Sequence, residues 1–201
     1  MRKILTCVCL ILSLVFLVSC ASTKVVEHWS DPDFDAKLKN IMVLSLNQSV
    51  KSRRMFEDGF LKALKQRGIQ SSGSYKLLPG NEDLNKEKVK AAIAGRDIDG
   101  VLVLRPVKIT KEGSYERPTT TGNRRPEFYS YVGRYGSSYD PAAVEDTVVH
   151  LETNLYAVDG ERLIWSGKTE SFNPSDVKTL LTETAEKILD EIGRTGFFQV
   201  N

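Results

Sequence analysis

Two short runs with no polar face constrain this chain more than any other feature. Ile41-Met42-Val43-Leu44-Ser45-Leu46 and Val101-Leu102-Val103-Leu104 place apolar side chains on both sides of a pleated strand. Such strands cannot leave one side in water, so they belong in a sheet covered on both faces. Between them, Ser52 to Arg67 reads as a helix. Phe56, Phe60, Ala63 and Leu64 share one stripe, Arg53, Arg54, Lys62 and Lys65 lie away from it, and Gly68 stops it. Ile69 to Tyr75 is a short extended segment before a Pro79-Gly80 turn. Asn85 to Ala94 is a second helix, with Val89, Ala92 and Ile93 inward and Gly95 at its end. This βαβαβ order predicts an α/β fold with some parallel pairing.

The end of the chain has a different pattern. Val149, Leu151, Thr153, Leu155 and Ala157 alternate with His150, Glu152, Asn154 and Tyr156, which reads as a half-exposed antiparallel strand. Asp159-Gly160 is a hairpin turn. The return strand puts Leu163 and Trp165 on one side, with Arg162, Ile164, Ser166 and Lys168 on the other. Trp165 is expected in the core between the hairpin and the last helix. Asn173-Pro174-Ser175-Asp176 opens that helix with a cap, an early Pro and an acid. Its stripe runs through Val177, Leu180, Leu181, Thr184, Ala185, Ile188, Leu189 and Ile192. The expected fold is therefore α/β: a mixed sheet built from βαβαβ, a hairpin and a C-terminal helix, with helices packed on it over residues 39–201.

The start of the chain reads as an export signal. Arg2 and Lys3 precede an uncharged run from Ile4 to Val18. At about 1.5 Å per residue this run covers roughly 22 Å, short of the roughly 30 Å hydrocarbon core of a bilayer. Small residues follow it, with no basic stop-transfer cluster. Leu17-Val18-Ser19-Cys20 resembles the lipobox of bacterial lipoproteins. The resemblance implies cleavage of residues 1–19 and acylation of Cys20 by fatty acids such as palmitate. Cys7 and Cys9 leave with the leader, so Cys20 is the lone cysteine of the mature chain, and lipidation accounts for it. Two or three acyl chains, each burying CH₂ groups at about 0.8 kcal/mol apiece, anchor a protein stably. Ala21 in place of Asp implies, by analogy with enterobacterial lipoproteins, an outer-membrane location facing the periplasm. In a source with a single membrane the location is the cell membrane. Residues 20–38 then read as a lipidated tether with a turn at Ser30-Asp31-Pro32-Asp33 and Trp29 along it.

The body resembles envelope lipoproteins of the CsgG and TolB N-terminal-like fold. The resemblance rests on the Ile41–Leu46 strand, its following helix, the Val101–Leu104 strand and the hairpin from Tyr156-Ala157-Val158-Asp159-Gly160 to Trp165. It is a pattern of elements over roughly residues 40–193. Members include secretion-channel subunits and assembly factors, but this chain has no obvious pair of membrane-spanning hairpins.

Charge excludes some functions. The whole chain carries a formal +2 and the leader holds two bases and no acid, so the remainder is neutral. Nucleic acid and acidic lipid headgroups have no basic excess to exploit. Motifs for chemistry are missing as well: there is no Gly-x-Ser-x-Gly, P-loop or dinucleotide fingerprint. His28 and His150 have no metal-ligand neighbours at the usual spacing, and His150 reads as a solvated strand residue beside Glu152 and Asn154. Asp31, Asp33 and Asp35 alternate like part of a calcium loop but lack its Gly and terminal Glu. Arg53-Arg54 with Glu57-Asp58 read as surface i,i+4 pairs rather than an anion site. No cofactor or metal is expected.

The unusual segment is the insertion from Lys111 to Glu145, far longer than an ordinary connection. It holds Tyr115, Phe128, Tyr129, Tyr131, Tyr135 and Tyr139 among Gly, Ser, Pro and arginines such as Arg117, Arg124, Arg125 and Arg134. Aromatic rings among Gly and Ser suit an adaptable recognition surface. Because the strands and helices already account for a core, these rings have no evident core to join. Tyr115, Phe128, Tyr129, Tyr131, Arg134, Tyr135 and Tyr139 are therefore the candidate partner-binding residues. The expected function is a lipid-anchored, non-enzymatic binding or assembly module of the cell envelope. It would bind the membrane through lipid and an envelope protein through the insertion, with self-association left open. The alternative is an envelope hydrolase, which would need a pocket grouping His150 with an acid and a serine.

Overall fold

A computed structural model describes residues 23–47, 49–78, 84–108, 127–135, 148–172 and 177–200. The expected leader, Cys20, Tyr115, Tyr139, the expected turn at Pro79-Gly80 and the expected cap at residues 173–176 lie outside the described residues. Within them the chain is an α/β sandwich. Six strands are β1 (Thr23–Ser30), β2 (Asn40–Ser45), β3 (Gln70–Gly73), β4 (Gly100–Lys108), β5 (Val148–Ala157) and β6 (Arg162–Phe172). They form one sheet in the order β1-β6-β5-β4-β2-β3. The β2–β3 and β2–β4 pairs are parallel and the rest antiparallel, so the sheet is mixed as the alternation of elements requires.

Among the described residues five helices cover the sheet: α1 (Val50–Gln66), α2 (Ser74–Leu77), α3 (Lys86–Ile93), α4 (Phe128–Tyr135) and α5 (Val177–Gly193). The two apolar runs explain the layering. Ile41, Val43, Leu102 and Leu104 face one core, with Phe60 and Leu64 of α1 and Ile188 and Leu189 of α5. Met42, Leu44, Val101 and Val103 face the other, with Val89 and Ile93 of α3 and Phe128 and Val132 of α4. Ser49 caps α1 by accepting from the Ser52 amide, and Asn85 caps α3 by accepting from the Lys88 amide. Gly68 and Gly95 end these helices at φ of 72° and 71°, a backbone region that glycine enters without steric cost.

Several expectations change. Thr23–Ser30 is an edge strand, not a tether. It pairs antiparallel with β6 from Thr23↔Ser171 to Ser30↔Trp165, covering an edge that would otherwise stand open over eleven residues. Further along, Phe34 packs edge-on against Phe197 at 5.2 Å, so this segment also belongs to the core. The second change is in β5, which is not half-exposed: Glu152, Asn154 and Tyr156 are all buried, because α4 lies across that face. The third follows Gly73, where Ser74–Leu77 is a single helical turn rather than extended chain. Trp165 is fully buried beside the last helix, as expected, but Ile164 shares its core and Leu163 packs on the other, because the pairing shifts register between Leu155 and Tyr156.

Candidate functional site

The described part of the insertion is an amphipathic helix. Phe128, Tyr129, Tyr131 and Val132 occupy successive positions of one face and are at most 5 % exposed, while Ser130 and Gly133 face out. Phe128 and Tyr131 lie near the Tyr156 ring, at centroid distances of 5.2 and 6.2 Å. The expectation that these rings have no core to join is thus overturned for Phe128, Tyr129 and Tyr131: the polar-looking face of β5 is their core. Arg134 and Tyr135 are in the same helix, their side chains outside the described residues.

A buried polar network fixes α4 to the sheet. The Glu152 carboxylate accepts from Tyr131 Oη at 2.5 Å and Asn154 Nδ2 at 2.9 Å on Oε1, and from Arg105 Nη2 at 2.5 Å on Oε2. Arg105 Nε also donates to Tyr131 Oη at 3.1 Å. Burial first, and then the Glu152 charge, push the Tyr131 hydroxyl well above its ordinary range, so it stays a donor. Each of these four side chains is hydrogen-bonded to another of the four, which makes the cluster a clamp.

A second buried carboxylate sits where β2 ends. Glu57 of α1 is fully buried and accepts from the Ser45 amide at 3.0 Å, Ser74 Oγ at 2.5 Å and the Tyr75 amide at 3.0 Å. Burial raises its pKa to about 7 against these three donors and nearby Arg53. Arg53 is itself 3 % exposed and donates to the Leu78 carbonyl at 2.5 Å. The surface-pair expectation therefore holds for Arg54 and Asp58, 3.6 Å apart and exposed, and fails for Arg53 and Glu57. Positions 53, 57, 60 and 64 share one helical face, so the spacing carried that signal and the charges disguised it.

The surface feature best placed for contact is a groove of about 420 Å³ between α1 and α5. Its floor includes Met55, Gly59 and Leu181, and its rim carries Lys51, Arg54, Lys62 and Lys178 against one acid, Asp58. Gly59 lets the helices approach, since a Cβ there would stand 3.3 Å from Leu181 Cβ. At the opposite end of the sheet lies a wider depression of about 740 Å³ bordered by Asp99, Glu127, Asp159, Glu161 and Lys86. Residues 20–201, formally neutral in sum, are thus basic between two helices and acidic at the hairpin end.

His150 pairs with Glu170 at 3.6 Å, and its pKa is lowered by burial, with Glu170 opposing. The serine next along β6, Ser171, faces the other side of the sheet and shares a 2.8 Å hydrogen bond with Thr23. Among the described residues no serine is paired with His150, and no group of three His, Cys, Asp or Glu is arranged to hold a metal. Asp31 accepts from the Asp33 amide at 3.0 Å and from Arg162 Nε at 2.7 Å, so its carboxylate closes a turn. No described helix is long and apolar enough to cross a membrane.

No family model and no curated protein matches the chain. Among solved structures it is similar to PelC from Paraburkholderia phytofirmans, solved as a dodecamer, at 14 % identity and a TM-score of 0.45, covering 83 % of this chain and 95 % of that one. A single-residue variant of the same PelC dodecamer is similar at 13 % identity and a TM-score of 0.43, over 83 % and 94 % of the two chains.

Proposed function

We propose that this protein is an exported lipoprotein, held by acyl chains on Cys20, whose α/β domain is a non-enzymatic binding or assembly module of the cell envelope. The observation that carries the reading is the position of the fold relative to the lipobox. The sheet is entered at Thr23, three residues after Cys20, so the cleavage site and the edge of the folded body nearly coincide. The chemistry of the body agrees with a scaffold: Glu57 and Glu152, the two buried carboxylates among the described residues, are each bound by several donors of the protein itself. In this reading the Lys111–Glu145 insertion contributes partner contacts, with α4 holding it on the sheet. The outer membrane facing the periplasm is the expected address.

Labelling envelopes with a fatty-acid analogue tests the anchor. Wild type takes up label and fractionates with the outer membrane, whereas Cys20→Ser gives an unlabelled, uncleaved or soluble product. Equal labelling of the two would end the lipoprotein reading.

A further inference from the structure

We infer that the basic α1–α5 groove is a membrane-facing surface that engages the phosphates of anionic lipid headgroups. The inference rests on the lipoprotein reading and adds an orientation to it.

The sheet register determines which end of the domain the lipid reaches. Thr23 pairs with Ser171, Ser171 with Val149, and Val149 with Lys108, so these four residues mark one end of the sheet. Three residues of chain span at most about 10 Å, so an acyl group on Cys20 holds this end against the bilayer. The register also places the groove. β6 ends at Phe172 and α5 starts at Val177, while β2 ends at Ser45, beside Leu104, and α1 starts at Val50. Both helices therefore begin toward the anchored end and run away from it. The hairpin at Asp159 lies ten residues of β5 away, roughly 30 Å. Trp29 lies six residues along β1, about 20 Å from Thr23 and the anchored end of the sheet, and is not an interfacial residue in this orientation.

Two independent features meet at the anchored end. One is charge: Lys51, Arg54 and Lys178 stand near the helix starts with Lys62 further along, against the single acid Asp58. The other is apolar exposure. Four large apolar side chains are exposed among the described residues: Val26, Met55, Val177 and Val200. Met55 and Val177 lie toward the end where α1 and α5 begin, whereas Val26 is midway along β1. Basic side chains around exposed apolar ones match a headgroup layer, with phosphate outside and acyl carbon beneath. The acidic depression faces away, roughly 30 Å and several Debye lengths from the anchored end, so its carboxylates are not pressed against an anionic layer. Neutral composition argues against such binding only if the charges are mixed, and the fold separates them.

The test uses the full acylated chain in vesicles. Its only mature cysteine is acylated, so a cysteine introduced by Val177→Cys or Asp159→Cys carries a unique fluorophore. Headgroup-spin-labelled lipid then reports proximity. In equimolar phosphatidylcholine and phosphatidylglycerol, the probe at 177 should be quenched several-fold more than the probe at 159. Pure phosphatidylcholine, about 1 M salt (Debye length roughly 3 Å), or Lys51→Glu with Lys178→Glu should each lower the quenching at 177 to what the acyl tether alone imposes, while the protein still floats with the vesicles. Flotation with equal quenching at both positions, or quenching indifferent to lipid charge, overturns the surface and leaves the anchor intact. Failure to float overturns the lipoprotein reading and the surface with it. Protection of the 177 probe in detergent with a doubled mass would assign the groove to a second copy instead.

Discussion

Gly167→Ala isolates the packing around Trp165. Gly167 sits inside β6 with ordinary strand geometry, so alanine meets no conformational barrier there. The obstacle is space: a Cβ at 167 would stand 2.3 Å from Trp165 Cη2 and 2.9 Å from Cζ2 and Cζ3. The indole cannot swing away freely, because it is fully buried in the core shared with Ile188 and Leu189. If the core yields slightly, overpacking costs about 1–3 kcal/mol. If the indole is displaced, the loss approaches the roughly 3–5 kcal/mol of a Trp→Ala truncation, which is also the expected cost of Trp165→Ala itself. The assay is urea denaturation at a fixed m-value, completed as a cycle with Trp165→Leu. The double variant should be about 1–3 kcal/mol more stable than additivity predicts, because the smaller side chain removes the clash. Gly160→Ala is the control: its φ is 68° with nothing within 4 Å of the new Cβ, so it should cost only about 1 kcal/mol, and through backbone strain alone. A loss under about 0.5 kcal/mol for Gly167→Ala, or strict additivity with Trp165→Leu, would refute the argument.

Further predictions follow from the two carboxylates and the insertion. The Glu57 pKa of about 7 lies above the ordinary 4.5, so the folded state holds a proton that the unfolded chain releases. Its contribution is complete below about pH 4.5 and declines as pH rises to about 7, by roughly 3 kcal/mol at most, and Glu57→Gln should flatten that slope in melting curves from pH 4 to pH 8. Identical slopes in the two proteins would count against it. Tyr131→Phe removes one donor from Glu152 and should cost about 1–3 kcal/mol in urea. Glu152→Ala, which leaves Arg105 buried without its carboxylate, should cost about 3–5 kcal/mol, and near-neutral values for both would mean that the clamp does not hold α4. Replacing Lys111–Glu145 by a Gly-Ser linker strips four apolar side chains from the sheet, each stabilising by about 1.5–3 kcal/mol, so the shortened protein should bind a hydrophobic dye or unfold. An unchanged melting temperature would show that α4 contributes nothing to the core.

The sequence alone settled those features whose cause is local. The runs at Ile41–Leu46 and Val101–Leu104 demanded cover on both faces, whatever supplied it. The stripes of α1, α3 and α5, the stops at Gly68 and Gly95 and the Asp159-Gly160 turn each follow from a few adjacent residues. Only the tertiary structure decided what a residue meets across the fold. The alternation in β5 is the same whether Glu152 and Asn154 face water or Tyr131, and it took α4 to exclude the water. Arg53 and Glu57 read as surface charges until Ser45, Ser74 and Tyr75 close over them from elements that are distant along the chain. Thr23–Ser30 has no strand signature of its own, because an edge strand is held by backbone hydrogen bonds that any side chain permits. Charge behaves in the same way. Summed over residues 20–201 it vanishes, and only folding, by bringing Lys51 and Arg54 beside Lys178 and setting Asp99 beside Asp159, turns a neutral composition into a molecule with two unlike ends.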